Sequence, residues 1–203
     1  MSENRGEAAK RRVGLLGGTF DPPHVGHLIV ADQVLDQLEL DEVRLVVSNH
    51  PWQKTPLREV TTPERRLAMV EAAVDGLNGV TASAVELEIG GPSYSIATLE
   101  VLQRQEPDVE WLLIVGADAA AGLDTWHRAD ELRSGYRFVV VNRAGVVSGP
   151  PSGWNCLTVS IPSVDLSSSG IRAMVGAERS VRHLCSGKVI RLLNGWGLYR
   201  RNS

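Results

Sequence analysis

The sequence predicts an α/β fold in which a parallel β-sheet carries helices on both of its faces. Short apolar runs recur along the 203 residues, and each run ends in glycine or polar residues. Stretches with apolar residues at helical spacing lie between these runs. Strands of a parallel sheet are buried on both faces, so they are expected to be apolar throughout. A hydrophobic content of 43% allows one substantial core, and we therefore expect a single domain.

The predicted elements alternate along the chain. The predicted strands are residues 13–16, 43–47, 111–115, 138–141 and 157–161. The predicted helices are residues 26–38, residues 63–74 with Thr62 as the N-cap, and residues 95–103. This alternation is typical of a Rossmann-like parallel sheet.

Two segments are predicted to lie outside this regular structure. Residues 1–10 are polar and are predicted to form a flexible N-terminal tail, so the predicted domain covers residues 11–203. Residues 144–154 are rich in Gly, Pro and Ser and are predicted to form a surface loop.

The composition excludes several classes of protein. A net charge of −3 argues against a surface that binds long nucleic acid, which needs a dense basic patch. The apolar runs are far shorter than a bilayer span, and residues 2–12 do not resemble a signal peptide, so we expect no membrane association and a cytoplasmic location. Cys156 and Cys185 fit no metal-binding spacing and are expected to be buried or half-buried thiols.

Candidate functional residues follow the predicted strands. They form four groups, at residues 17–27, 116–126, 142–143 and 165–172. Ligands of an open parallel sheet bind at the carboxyl ends of its strands, so we expect the four groups to converge there.

The first group, GGTFDPPHVGHL, is predicted to bind phosphate. Gly17 and Gly18 allow backbone N–H groups to approach an anion, and the following helix presents its positive dipole end. The segment lacks the GxxxxGK pattern of a P-loop and the GxGxxG pattern of a dinucleotide fold. His24 and His27 are three residues apart at the helix start, so both can face the same bound group. A zinc pair and ordinary helix capping are the alternatives for these histidines.

The fourth group is predicted to be a second anion site. Hydroxyl groups of Ser168 and Ser169 stand at a helix start, and Arg172 lies one turn further on. An arginine binds polyphosphate through paired donors and stays charged, which suits a departing pyrophosphate. A serine-rich linker with a surface arginine is the alternative. Lys54 is a candidate for a further positive charge.

Two of these segments resemble the signatures of a known superfamily. GGTFDPPHVGHL resembles the HxGH motif of a superfamily of nucleotidyltransferases, and SSSGIR resembles their second motif, ISSTxIR. The chain is more specifically similar to the bacterial nicotinate mononucleotide adenylyltransferases through PWQK at residues 51–54, GGPSYSIATL at 90–99, GADAAAGLDTW at 116–126 and the Leu198-Tyr199 ending. Ser169 and Ser95 stand where these enzymes usually have threonine, and Ala97 stands where they commonly have aspartate.

The resemblance implies an assignment for each group. Catalytic roles are predicted for His24, His27, Lys54 and Arg172. The predicted ATP-binding residues are Gly17, Gly18, Thr19, Phe20, His24, His27, Asp118, Arg143, Ser168, Ser169 and Arg172, with Asp118 at a nucleotide ribose. The predicted acceptor-binding residues are Trp52, Lys54, Tyr94, Ser95, Trp126 and His127, with backbone amides near Ser95 and His127 receiving the nicotinate carboxylate.

The predicted reaction joins ATP to nicotinate mononucleotide. The acceptor phosphate has a second pKa of about 6 and is mostly dianionic at neutral pH, so it attacks the α-phosphorus without an enzyme nucleophile. Mg²⁺ is expected as a cofactor that binds through the ATP phosphates, with no metal ligand set from the protein. The alternatives are an enzyme of the same fold acting on nicotinamide mononucleotide, pantetheine phosphate or a CTP-linked alcohol phosphate, or a non-catalytic nucleotide sensor. The oligomeric state is left open, a homo-oligomer included.

Overall fold

The computed structural model describes residues 10–50, 60–143, 149 and 151–200. Six strands form one sheet, in which every pair of neighbours is parallel. The strands are β1 Arg11–Gly18, β2 Glu42–Val47, β3 Val80–Ser83, β4 Val109–Gly116, β5 Arg137–Arg143 and β6 Cys156–Ile161. Their order across the sheet is β3-β2-β1-β4-β5-β6. The predicted Rossmann-like sheet is confirmed, and its chain order reverses between β1 and β4.

Eight helices accompany these strands in the described part of the chain. They are α1 Val25–Gln37, α2 Pro63–Val74, α3 Val85–Ile89, α4 Ser95–Gln105, α5 Ala117–Ala120, α6 Ala129–Gly135, α7 Ser168–Gly176 and α8 Gly187–Gly195. A 3₁₀ turn, Leu123–Thr125, lies between α5 and α6. The predicted helices at 26–38, 63–74 and 95–103 are confirmed as α1, α2 and α4, with boundaries shifted by at most two residues. None of the described helices has the length and hydropathy needed to cross a membrane.

Helices cover both faces of the sheet because β1 and β4 are apolar on both sides. Val13 and Leu15 of β1 pack on one face with the apolar side of α4. Leu16 of β1 and Leu112 of β4 pack on the other face with α1 and α2. Burial on both faces explains why these strands are continuous apolar runs.

A third apolar cluster joins α2 to the two C-terminal helices. Met69 of α2, Ile171 of α7 and Val189 of α8 are each fully buried in it. Cys185 is buried in the same cluster, and Cys156 is half-buried, so the prediction of two free thiols in apolar surroundings is confirmed. Burial raises the pKa of the Cys185 thiol to about 12.

The prediction of a surface loop at residues 144–154 is wrong at its end. Trp154 is 8% exposed, and its ring packs edge-on against Phe138 at 5.1 Å between ring centroids. The indole N–H donates to Asp124 Oδ1 at 2.9 Å. A large apolar ring is buried when its one polar group finds a partner, and this outweighs the polar composition of the segment. Residues 144–148 and 150 lie outside the described residues, as do residues 1–9 of the predicted tail.

Candidate active site

A cleft of about 420 Å³ opens at the carboxyl ends of β1, β5 and β6. It is lined by side chains that the sequence predicts to bind ATP, namely His24, His27, Arg143, Ser168, Ser169 and Arg172. We refer to it as the nucleotide cleft. The first, third and fourth groups of candidate residues therefore meet in one place, although the first group is more than a hundred positions from the other two in sequence.

The two histidines lie side by side at the start of α1. Their rings are stacked, with 3.7 Å between centroids and 24° between planes. His27 Nδ1 accepts a hydrogen bond from the His24 backbone N–H at 3.2 Å. This bond makes Nδ1 an acceptor, so the neutral ring carries its proton on Nε2, which suits donation to a phosphate oxygen. Helix capping, an alternative from the sequence, thus occurs together with the shared orientation.

The structure makes His24 a neutral imidazole at physiological pH. The side chain is buried, and burial lowers its pKa to about 4, with a further contribution from the positive charge of Arg143. A protonated His24 is therefore unfavourable in this structure. An incoming polyphosphate would offset the charge of Arg143 and leave His24 as a hydrogen-bond donor at the cleft.

Gly26 gives the His24 ring its position. A Cβ atom at Gly26 would lie 3.0 Å from both Cε1 and Nδ1 of His24, which is closer than ordinary packing allows. The glycine between the two histidines therefore leaves room for the imidazole to fold back over the helix start.

The fourth group of candidate residues is hydrogen-bonded directly to the loop between β1 and α1. Ser168 Oγ donates to the Pro22 carbonyl at 2.8 Å, and Arg172 Nη1 donates to the Asp21 carbonyl at 2.6 Å. Ser167 caps α7 by accepting a hydrogen bond from the Gly170 N–H at 3.1 Å. The serine-rich segment is thus a helix N-terminus docked on the loop that leads to His24, and the alternative of an unstructured linker is excluded.

A second cavity, of about 290 Å³, opens at the carboxyl ends of β1 and β4, where the strand order reverses. We call it the acceptor cavity, because four predicted acceptor residues line it: Tyr94, Ser95, Trp126 and His127. Tyr94 and His127 stack with 4.2 Å between ring centroids. Trp126 contacts Phe138 edge-on at 6.5 Å. These rings form an aromatic wall beside the first residue of α4.

The remaining predicted residues divide into four sets. Gly17, Gly18 and Thr19, predicted to bind ATP, line the acceptor cavity and not the nucleotide cleft. Phe20 is 2% exposed and packs edge-on against His27 at 4.9 Å, so its side chain supports the histidine pair from the core. Asp118 is exposed in the first turn of α5, and its neighbours Gly116 and Ala119 line the acceptor cavity. Trp52 and Lys54 lie outside the described residues.

Sequence reasoning missed a buried arginine that is hydrogen-bonded to the loops around the site. Arg66 of α2 is 1% exposed, and its guanidinium donates to the carbonyls of Thr19 at 2.9 Å, Asn49 at 3.2 Å and Thr61 at 2.8 Å. The signal that could have found it is its place on the apolar face of α2, three positions before Met69. An arginine on a buried helix face needs several acceptors.

Sequence reasoning also missed an interaction between Tyr199 and Asp21, which lies in the loop between β1 and α1. Tyr199 Oη donates to Asp21 Oδ1 at 2.6 Å, and Asp21 is 1% exposed. Burial and the Asp21 carboxylate raise the pKa of Tyr199 above its usual range. Asp21 is therefore fixed by the same chain end that carries the Leu198-Tyr199 motif.

The zinc alternative finds no support within the described ranges. They contain no group of three or more His, Cys, Asp or Glu side chains arranged to hold a metal ion. Any metal ion at the nucleotide cleft would need most of its ligands from a bound nucleotide.

A sheet with this strand order, two glycines at the end of β1 and a histidine pair at the start of α1 define a nucleotidyltransferase architecture. The chain belongs to the cytidylyltransferase-like family, whose profile matches residues 15–174. The predicted membership is thus confirmed.

Curated relatives give a narrower similarity. A protein of Exiguobacterium sibiricum named "probable nicotinate-nucleotide adenylyltransferase" is 37% identical over 93% of this chain and 98% of its own length. A protein of Gemmatimonas aurantiaca with the same name is 39% identical over 93% of this chain and 92% of its own. The fold is also that of nicotinic acid mononucleotide adenylyltransferase of Plasmodium falciparum complexed with NaAD, with a TM-score of 0.77 at 16% identity over 93% of this chain and 97% of the other.

Proposed function

We propose that this chain transfers the AMP moiety of ATP to nicotinate mononucleotide, forming nicotinate adenine dinucleotide and pyrophosphate. The observation that carries the proposal is that the predicted residues line two cavities at the carboxyl ends of the strands, one with cationic and hydroxyl groups and the other with aromatic rings. The names of the curated relatives support the same reaction. ATP would occupy the nucleotide cleft, and the pyridine ring would occupy the acceptor cavity.

The acceptor cavity suits a flat ring that carries a carboxylate. Tyr94 and Trp126 offer aromatic faces, and Ser95 is the first residue of α4. The first N–H groups of a helix have no partner within the helix and lie at the positive end of its dipole. A nicotinate carboxylate would be stabilised there, whereas an uncharged carboxamide would gain less.

The reaction requires positioning and charge stabilisation. A phosphate oxygen of the mononucleotide attacks the α-phosphorus of ATP in line with the bond to the bridging oxygen. That P–O bond breaks, and its electron pair leaves with pyrophosphate. Arg172 would hold the departing phosphates, and His24 and His27 would donate hydrogen bonds where negative charge develops. The acceptor phosphate is already mostly dianionic, so no general base is needed.

Mg²⁺ is proposed as a cofactor held through the ATP phosphates. The cleft fits this mode of binding, because its described polar side chains are hydrogen-bond donors and offer no carboxylate cage. The ion would supply neutralisation of phosphate charge. Arg143 and Arg172 would bind the phosphate oxygens that remain available.

Pyrophosphate release tests the proposal directly. The purified chain is incubated with ATP and Mg²⁺ and, separately, with nicotinate mononucleotide, nicotinamide mononucleotide or pantetheine phosphate. We expect release with nicotinate mononucleotide to exceed the other two by at least about tenfold in kcat/KM, because only this acceptor places a negative charge at the start of α4. Preference for another acceptor would overturn the proposed substrate, and no release with any acceptor would overturn the proposed activity.

A further inference from the structure

A buried carboxylate forms part of the wall of the acceptor cavity. Glu86 of α3 is 8% exposed and lines this cavity together with Tyr94 and Trp126. Among the described residues that line it, Glu86 is the one acidic side chain, and no lysine or arginine accompanies it. A buried carboxylate is costly when it ionises, so its presence in the wall of a ligand site calls for an explanation.

The hydrogen bonds of Glu86 are incomplete. Thr98 Oγ1 donates to Glu86 Oε1 at 3.0 Å and also contacts the Tyr94 carbonyl at 3.3 Å. Glu86 Oε2 and Ser93 Oγ are both buried, and neither makes a hydrogen bond of ordinary geometry within the described residues. Both side chains line the acceptor cavity. The wall therefore contains acceptor capacity that the protein itself does not use.

The electrostatics agree with this geometry. Burial raises the pKa of Glu86, and this effect outweighs the nearby Ser93 and Thr98 hydroxyls, the Asn49 backbone and the charge of Arg66, all of which lower it. The ionised carboxylate is thus only partly compensated when the cavity contains no ligand. A positive charge that enters the cavity would stabilise it.

The ring of the proposed acceptor carries such a charge. The pyridine nitrogen of a nicotinate mononucleotide is bonded to ribose and is therefore a quaternary cation without an N–H group. It cannot be recognised by a conventional hydrogen bond, and only a negative potential or an aromatic face can attract it. The Glu86 carboxylate provides the first, and Tyr94 and Trp126 provide the second.

We propose that Glu86 makes the acceptor cavity selective for a positively charged aromatic ring. The inference rests on the proposed function and deepens it. Glu86 places negative potential on one wall, and the N-terminus of α4 at Ser95 places positive potential on another. This pair of potentials matches the zwitterion formed by a pyridinium cation and its carboxylate. Glu86 acts through its charge and takes no part in the transfer of the adenylyl group.

The wild-type protein gives the first test. Its affinity for nicotinate mononucleotide is compared, by calorimetry without turnover, with that for the 1,4-dihydropyridine form, which has the same substituents and an uncharged ring. We expect the pyridinium form to bind at least about tenfold more tightly, the effect of one partly screened charge pair. Equal affinities would overturn the inference while leaving the proposed function intact. Wild-type protein that binds neither compound would overturn both.

Substitution then assigns the selectivity to Glu86. Glu86→Gln keeps the size and a hydrogen-bond acceptor for Thr98 but removes the charge. We expect its KM for nicotinate mononucleotide to rise about tenfold, with kcat and the KM for ATP unchanged and with unchanged affinity for the dihydropyridine form. An equal loss of affinity for both ring forms would show a structural role and overturn the inference.

Matched variants complete the comparison. Glu88→Gln makes the same chemical change at an exposed position of the same helix, and it is expected to behave as wild type. Glu86→Asp retains the charge and is expected to retain the preference for the charged ring. Loss of that preference in Glu86→Asp, measured on folded protein, would count against the inference.

Discussion

At the scale of single residues, the nucleotide cleft depends on how three neighbouring positions, His24, Gly26 and His27, share space. His24 is buried and neutral, His27 is half-buried and oriented by the His24 backbone, and Gly26 between them has no side chain. The two imidazole rings stack with 3.7 Å between their centroids, and Gly26 has no side chain that would occupy the space of the His24 ring. The glycine is thus required by the position of the His24 imidazole, and no positive φ angle is involved.

Gly26→Ala is predicted to separate activity from stability. The new methyl group would lie 3.0 Å from two atoms of the His24 ring and would displace the imidazole. We expect kcat/KM for ATP to fall at least about tenfold, since small displacements of catalytic groups cost this much or more. Alanine is the better helix former by about 0.5–1 kcal/mol, so the melting temperature should be unchanged or slightly higher.

Gly135→Ala is the matched control for this prediction. Gly135 ends α6, and a Cβ atom there would meet no atom within 4 Å. Steady-state kinetics of this variant should match wild type. Wild-type kinetics for Gly26→Ala as well would contradict the assigned role of the glycine.

Residues of the site differ in how far the sequence reveals them. His24, His27 and Arg172 were predictable because each belongs to a short local motif at a helix start, where spacing alone determines which side chains share a face. Arg66 and Glu86 were not, because their roles depend on burial against loops that are distant in sequence. The position of Arg66 on the apolar face of α2 indicates burial, but the local sequence does not show which distant loops supply its partners.

At the scale of elements, α2 joins two connections beneath the site. Arg66 is the only described side chain that donates to the carbonyls of Thr19, Asn49 and Thr61 together. Thr19 lies in the loop between β1 and α1, whereas Asn49 and Thr61 lie near the two ends of the connection between β2 and α2. The helix therefore links the position of one connection to that of the other.

Arg66→Lys is predicted to loosen these loops although it keeps the charge. A lysine donates from one nitrogen and cannot reach three carbonyls that are arranged around a planar guanidinium. We expect the free energy of unfolding to fall by roughly 1.5–3 kcal/mol, the range for hydrogen bonds to charged groups. We also expect KM to rise for both substrates, because Thr19 lines the acceptor cavity and belongs to the loop that leads to His24 in the nucleotide cleft. Urea denaturation and steady-state kinetics measure the two effects.

Arg65→Lys provides the comparison for this change. Arg65 is exposed on the same helix and lies over the Trp196 ring at 5.3 Å, an interaction that lysine can also make. We expect this variant to keep wild-type stability and kinetics. If both lysine variants lose the same amount of stability, the bracing role of Arg66 is wrong.

The elements that were predicted have a long apolar pattern, although the nine-residue helix α8 was missed. The helices α1, α2 and α4 are each longer than eight residues and show apolar residues at helical spacing. The long buried strands contain a continuous apolar run. In contrast, β3 has four residues of which only Val80 is buried, and α3 and α5 have five and four residues. Such elements are determined by their neighbours in the fold, because their sequences are too short to show a period.

At the scale of the whole molecule, the C-terminal part of the chain packs against the loop between β1 and α1 at the candidate active site. The last described turn brings Tyr199 to Asp21, 178 positions away in sequence, while α7 docks on the same loop through Ser168 and Arg172. The sequence predicted the importance of the Leu198-Tyr199 ending only by resemblance. The structure supplies the physical reason, which is that the tyrosine hydroxyl satisfies a buried carboxylate beneath the nucleotide cleft.

Tyr199→Phe is therefore predicted to destabilise the protein, because it loosens the loop between β1 and α1. The change removes the donor at 2.6 Å from Asp21 Oδ1, in a site where the carboxylate is 1% exposed. Loss of such a donor costs roughly 1–3 kcal/mol, and each kcal/mol lowers the melting temperature by about 2–4 °C in a chain of this size. Because Arg172 donates to the Asp21 carbonyl, kcat/KM for ATP should also fall several-fold.

Tyr136→Phe, the same change at a half-buried tyrosine beside the opposite end of β5, should alter neither property. Melting curves and pyrophosphate release on both variants test the coupling, and a Tyr199→Phe protein as stable as Tyr136→Phe would show that the chain end does not hold the loop.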